Sequence, residues 1–212
     1  MAKQKAATET TEPRALSPVS NDGETVIGMA TPYVARVTIE GVCPILFHRY
    51  SVEAVKTKSG AGKNSKAKSE DDVESYVYRD DHGELCVPGS ALKGALVGAA
   101  RSRQDPRSPR KSAMDLYKAI IVPLTDLAST GKKVWDFLDQ RRAVIQRNGI
   151  CRTRPALAKG WRATFDVLVQ APEYLDPASL NALVADAGRL QGVCDHRPTY
   201  GRFQVVSFEE TH

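Results

Sequence analysis

The residues best equipped for chemistry in this sequence are its cations. Between Arg141 and Arg162 (RRAVIQRNGICRTRPALAKGWR) stand Arg141, Arg142, Arg147, Arg152, Arg154, Lys159 and Arg162, with no acid among them. Arginine predominates, and its planar guanidinium suits bidentate phosphate contact and stacking on bases. The stretch reads as a β-hairpin around Arg147-Asn148-Gly149. Alternate residues of a strand share a face, so Arg152 and Arg154 project together. A solvated basic strand is the competing reading. The run Lys56–Lys68 (KTKSGAGKNSKAK) holds five lysines, two glycines and no acid. Such a loop can fold over a polyanion and gain affinity by counterion release; a merely solubilising insertion is the alternative.

Two further segments offer anion chemistry. In VPGSALKGALVGAARS a strand runs into a helix, with Ser90 as the expected N-cap. Gly89 and the helix start present free N–H groups to a phosphate, and Lys93 on the first turn reaches the same anion. Gly94 and Gly98 are costly inside a helix, so close approach of its backbone to a sheet is expected. Near the C-terminus, GRLQGVCDHRPTYGRF combines glycines for close backbone approach with Arg189, Arg197 and Arg202 for phosphates. His48, with Arg49 and Tyr50, follows the first strand. It would serve as a general base only with a partner acid, and a structural or stacking role is the simpler reading. Cys194-Asp195-His196 supplies too few ligands for a closed metal site, and Asp195 is expected to pair with Arg197 or a neighbouring basic strand. No P-loop, G-x-S-x-G or H-E-x-x-H motif is present, and no cofactor is expected.

These residues need positioning elements, and the pattern supplies them. The chain has 212 residues, 42% hydrophobic and 26% charged, with a net charge of +5. That fits a globular domain with a real core. No window has the roughly 18 uninterrupted apolar residues of a membrane helix. The N-terminus has no apolar run behind its basic residues, so no secretory signal is expected. Cys43, Cys86, Cys151 and Cys194 contain no C-x-x-C pair and are read as reduced thiols in the cytoplasm.

Residues 1–31 read as a disordered leader and 32–212 as a single domain carrying the Lys-rich insertion at about 52–74. Strands are expected at 33–40, 116–124, 161–170 and 202–208, with hairpins across 75–88 and 141–154. Helices are expected from Ala91 to Ser102 and after Asp176-Pro177. The second carries a buried stripe of Leu180, Leu183, Val184, Ala187 and Leu190, and ends at Gly192. Two β-α-β units give an α+β, ferredoxin-like or RRM-type split β-α-β sheet. Its open face is the surface that RNA-recognition domains use for single strands.

The V-P-G-S-x-L-K-G-A-L pattern between strand and helix resembles the RAMP superfamily, the RNA-binding backbone and processing subunits of CRISPR complexes. The Gly-rich loop between the last helix and last strand sits where RAMP proteins carry theirs. Together with VTIEGVCPILFHRYS, these motifs resemble a group of small phage proteins, a likeness spanning Tyr33 to Phe208. The resemblance implies a minimal backbone-subunit relative in a viral RNA-guided system. Backbone subunits that cut their target carry an aspartate soon after the first strand, whereas Gly41–Val52 contains no acid. The resemblance thus implies binding without cleavage.

The expectation is a non-enzymatic RNA-binding protein whose copies line one guide-like RNA as a homo-oligomer, with a complementary target nucleic acid as a further partner and no membrane. Phosphate contact falls to Lys93, Arg152, Arg154, Arg189, Arg197 and Arg202, with Ser90, Arg141 and Arg147 as further RNA-binding residues. His48, Arg49 and Tyr50 would meet a sugar or base. Two alternatives stay open: a metal-independent endoribonuclease using His48, and a phage structural or interaction protein that binds no nucleic acid.

Overall fold

The computed structural model describes residues 31–53, 56, 60, 72–145 and 148–211, with the backbone alone for 143–145 and 148–150. The expected leader (but for residue 31), most of the Lys-rich insertion and Arg147 lie outside the described residues. In chain order the elements are β1 (Tyr33–Gly41), β2 (Ile45–Leu46), β3 (Cys86–Pro88), α1 (Gly89–Ala99), β4 (Gln104–Asp105), β5 (Ser108–Ser112), α2 (Met114–Ile120), β6 (Ile121–Pro123), β7 (Leu127–Ser129), β8 (Phe137–Ile145), β9 (Asn148–Leu157), β10 (Arg162–Val169), α3 (Pro177–Leu190) and β11 (Phe203–Thr211).

The main sheet has the order β11-β1-β10-β6, and its neighbouring strands are antiparallel. The units β1–α1–β6 and β10–α3–β11 interleave, with β10 between β1 and β6. This is the split β-α-β, ferredoxin-like arrangement of an α+β fold. Its cause is legible in alternation. Tyr33, Ala35, Val37 and Ile39 of β1, and Ala163, Phe165, Val167 and Val169 of β10, are buried on one face. There they meet Leu92, Ala95 and Leu96 of α1 and Leu180, Leu183, Val184 and Ala187 of α3 in one apolar cluster. Asp176 caps α3, accepting from the Ser179 N–H at 2.9 Å, with Pro177 in the first turn.

Several local expectations give way. The segment 116–124 is not one strand: Met114–Ile120 is helical, and only three residues follow as β6. Leu116, Tyr117 and Ile120 are the buried positions, which is helical spacing. Ser90 does not cap α1. β3 enters the helix directly and Pro88 holds the cap position; the Gly89 N–H donates to the Asp126 carbonyl at 2.8 Å, so it is not the free phosphate donor expected of it. Of the two glycines expected to allow close approach, Gly98 packs against the Gln191 side chain, 2.8 Å from where its Cβ would be, and Gly94 does not; the tightest approach is at Gly89, where a Cβ would lie 2.1 Å from the Thr125 carbonyl. The hairpin across 75–88 is short, with one bridge, Arg79 to Leu85, and the Cys86 N–H donating to the Tyr78 carbonyl at 2.9 Å; β3 also pairs with β7. In the β8–β9 hairpin Ile145 faces Asn148. Asn148 and Gly149 are therefore strand residues and not the turn expected of them. Leu190, at the end of the α3 stripe, is 45% exposed.

Candidate nucleic-acid interface

The outer face of β1 and β10 is lined by cross-strand pairs. Across β1 and β10 it presents Arg36 opposite Asp166, Thr38 opposite Thr164 and Glu40 opposite Arg162. Arg36 donates to both Asp166 oxygens at 2.8 and 2.9 Å. The threonine hydroxyls lie 3.0 Å apart, and Arg162 Nε donates to Glu40 at 2.7 Å. Among the described residues the outer face of these two strands carries no aromatic ring. The base-stacking platform expected of an RRM-type sheet is absent from it, since sequence-tolerant stacking requires aromatic planes.

The cationic segments come together elsewhere. The loop from Gln191 to Arg202 is stitched onto the chain after β1. The Asp195 N–H donates to the Leu46 carbonyl at 3.0 Å, Gly201 to Pro44 at 2.8 Å, and Val42 to Arg202 at 3.0 Å. β2 in turn pairs with β9, Ile45 opposite Leu157 and Leu46 opposite Ala156. Gly201 has φ +72, and a Cβ there would sit 1.9 Å from the Val193 carbonyl. Cys194 and His196 also take left-handed backbone conformations, with φ 63 and 55. Such strain concentrates where a loop must present particular side chains.

Facing this loop is one side of the β8–β9 hairpin. Asp139 lies opposite Arg154 and Arg141 opposite Arg152, so all four share a face. Arg154 forms an ion pair with Asp195. Arg141 is held by Asp139 at 2.7 Å, and its guanidinium lies 4.6 Å from the Tyr200 ring centroid and 3.3 Å from His196 Nε2. It also donates to the Tyr200 hydroxyl. Arg152 donates to the Tyr76 hydroxyl at 3.2 Å. Tyr76 meets His48 edge-on at 4.8 Å, and His48 Nδ1 stands 3.8 Å from Asp195 Oδ2.

Between these parts run two adjoining clefts. One, of about 230 Å³, is lined by His48, Tyr78, Pro88, Ser90, Ala91, Cys194 and Asp195. The other, of about 470 Å³, is lined by Gln191 and Cys194 through Pro198. Burial pushes the Cys194 thiol up to about 12, so at neutral pH it is an uncharged part of the wall.

The sequence-derived residues thus fall into three groups. Arg141, Arg152, Arg154 and His48 converge on the loop but are engaged by the protein itself. Lys93, Arg197 and Arg202 have no side-chain hydrogen bond or ion pair among the described residues. Arg197 reaches α1, its Nη1 lying 3.9 Å from where a Gly94 Cβ would be. Ser90 is exposed on the cleft rim, Tyr50 is 74% exposed, and Arg49 lies 5.6 Å over the Tyr78 ring. Arg189 donates to Asp186 at 3.0 Å. Asp195 pairs with the basic strand, as one of its two expected partners, through Arg154. The sequence reading gave no role to Asp139, Tyr76 and Tyr78, which lie outside its motifs, or to Tyr200, which stands within the C-terminal one. Among the described residues no group of three or more His, Cys, Asp or Glu could hold a metal ion, and no helix is long and apolar enough to cross a membrane.

No protein-family model matches the chain, and no curated protein matches it. Among solved structures, a chain in the cryo-EM structure of the type III-B Cmr-beta bound to cognate target RNA is similar at 13% identity and a TM-score of 0.49. The match covers 85% of this chain and 61% of that one. The fold assignment rests on the strand order and connectivity themselves.

Proposed function

We propose that this protein binds single-stranded RNA by its phosphates along the clefts between the first turn of α1 and the C-terminal loop. The observation that carries the reading is the meeting, at one place, of the helix start, the glycine-bearing loop and the arginine face of the hairpin. Arg197 lines one cleft and Lys93 lies on the first turn of α1, and neither has a carboxylate partner among the described residues. Tyr50, Tyr78 and Arg49 offer planar groups beside the same path for stacking on bases or sugars. Phosphate-led contact leaves base edges free to pair, as a guide-binding subunit requires. The sequence resemblance to RAMP proteins supports extending this to several copies on one guide RNA, within a phage RNA-guided complex in the host cytoplasm.

The test is the salt dependence of affinity, measured by anisotropy on a labelled single-stranded RNA. Four contacts, from Lys93, Arg197, Arg202 and Arg49, give a log–log slope of about −3, at about 0.7 per contact. Lys93→Ala and Arg197→Ala each flatten it by about 0.7. A wild-type affinity that ignores salt overturns the proposal.

A second reading has one observation in its favour. Asp195 provides the acidic neighbour that a general-base His48 needs. It predicts metal-independent RNA cleavage lost in His48→Ala while binding persists; RNA left intact by the wild-type protein eliminates it.

A further inference from the structure

We propose that Asp195 makes this interface selective for RNA over DNA, by accepting a hydrogen bond from a ribose 2′-hydroxyl seated in the cleft beside His48 and Ser90. The inference rests on the RNA-binding reading above. Of the described residues lining the two clefts, Asp195 alone carries a carboxylate, and it lines both. Its Oδ2 is buried, against Arg154 and within 3.8 Å of His48. Yet the side chain is 31% exposed, so that exposure belongs to the rest of the group, including Oδ1. Among the described residues Oδ1 accepts no hydrogen bond. The carboxylate is also fixed in place. Its own N–H is tied to Leu46, and left-handed residues stand on either side of it.

A carboxylate at the centre of a polyanion site repels each phosphate that passes, unless the ligand offers it a donor. Arg154 offsets that repulsion only in part, since the side chain remains 31% exposed and lines both clefts. The donor that every RNA nucleotide carries is the 2′-hydroxyl, and DNA has none. Base N–H groups are donors too, but they belong to particular bases and would make the site sequence-specific. The cleft suits a sugar. Tyr78, Pro88 and Ala91 form an apolar wall, and His48, Ser90 and Asp195 supply polar groups. At about 230 Å³ it has room for a ribose ring. The Ser90 hydroxyl can either donate or accept.

The experiment compares affinities of the full chain, at one salt concentration, for oligomers of one mixed sequence as RNA, DNA and 2′-fluoro RNA. The 2′-fluoro form keeps a ribose-like pucker but cannot donate. RNA is expected to bind about tenfold or more tightly than both of the others. Asp195→Asn removes the repulsion and keeps the side chain's shape, though it leaves the Arg154 charge without its counter-ion. It should raise DNA and 2′-fluoro affinity and shrink the RNA preference several-fold. Equal wild-type binding of RNA and 2′-fluoro RNA overturns the inference and leaves the RNA-binding reading standing. So does an Asp195→Asn protein whose RNA preference is unchanged, or one that alters only sequence preference. Should Asp195→Asn fail to fold, Ser90→Ala, on the exposed cleft rim, gives the same comparison with a smaller expected loss of preference. Failure of the wild type to bind any RNA overturns the underlying reading instead.

Discussion

Arginines in this chain differ in what they leave for a ligand. Arg36, Arg162 and Arg189 are paired at the exposed surface, where a pair contributes about 0–1 kcal/mol and yields readily to a competing anion. Arg154 is different: its side chain is 13% exposed against Asp195, and breaking a buried pair from one side costs about 3–5 kcal/mol. Phosphates should therefore take Lys93 and Arg197 before Arg154. Asp105 shows the same economy away from the interface. It is buried, and the Arg107 side chain and backbone hold its carboxyl down to about 2. Its unfolded value is about 3.9. Because the folded value is the lower one, the stabilisation is present above about pH 4 and fades as pH falls towards 2. Asp105→Asn should thus melt below wild type at pH 5–7, with the gap closing by about pH 2 in calorimetry. A gap that stays constant across that range contradicts this account.

Element by element, legibility followed periodicity. β1, β10 and α3 were plain because each has one wet and one dry face, so burial writes a period of two or of 3.6 into the residues. α2 was hidden: a seven-residue helix running straight into a three-residue strand gives one apolar run, LYKAIIVPL, that fits both elements. The hairpin across Arg141–Arg154 was legible, but its turn was misplaced by following Asn-Gly. The pairing of Ile145 with Asn148 is fixed further down, where β9 must also meet β2. The convergence of the arginine strand on the C-terminal loop was expected from the two motifs. The pairing of Asp195 with the basic strand was expected as well; the hold of Asp139 on Arg141, two residues along the same strand face, was not, because it lies outside the acid-free run that drew attention. The glycines separate by the same logic. Gly201→Ala needs both a left-handed backbone and 1.9 Å against the Val193 carbonyl. It should cost at least about 2 kcal/mol and loosen the loop that carries Asp195. Gly94 meets nothing nearer than Arg197 Nη1 at 3.9 Å. Gly94→Ala should leave stability equal or raise it by up to about 1 kcal/mol. Denaturant midpoints of the two variants decide; a destabilised Gly94→Ala would mean α1 is packed more tightly than this.

At the scale of the whole molecule, the fold pairs the charges on its sheet face and gathers cations at another surface. The sheet face is covered by cross-strand pairs that satisfy one another, while the groove at the start of α1 gathers groups from five separate stretches of chain. Strand order alone would have pointed a ligand to the wrong side; only the side chains redirect it. The account stands or falls on where RNA touches the protein. Photo-crosslinking with 4-thiouridine RNA and mass-spectrometric mapping of the adducts reads this directly. Adducts are expected on peptides holding His48 to Tyr50, Tyr76 to Lys93 and Cys194 to Tyr200, and the yield should be unchanged in Arg36→Ala/Arg162→Ala. Adducts concentrated on Val34–Glu40 and Arg162–Leu168, or lost in that double variant, would place the RNA on the sheet and contradict the central claim.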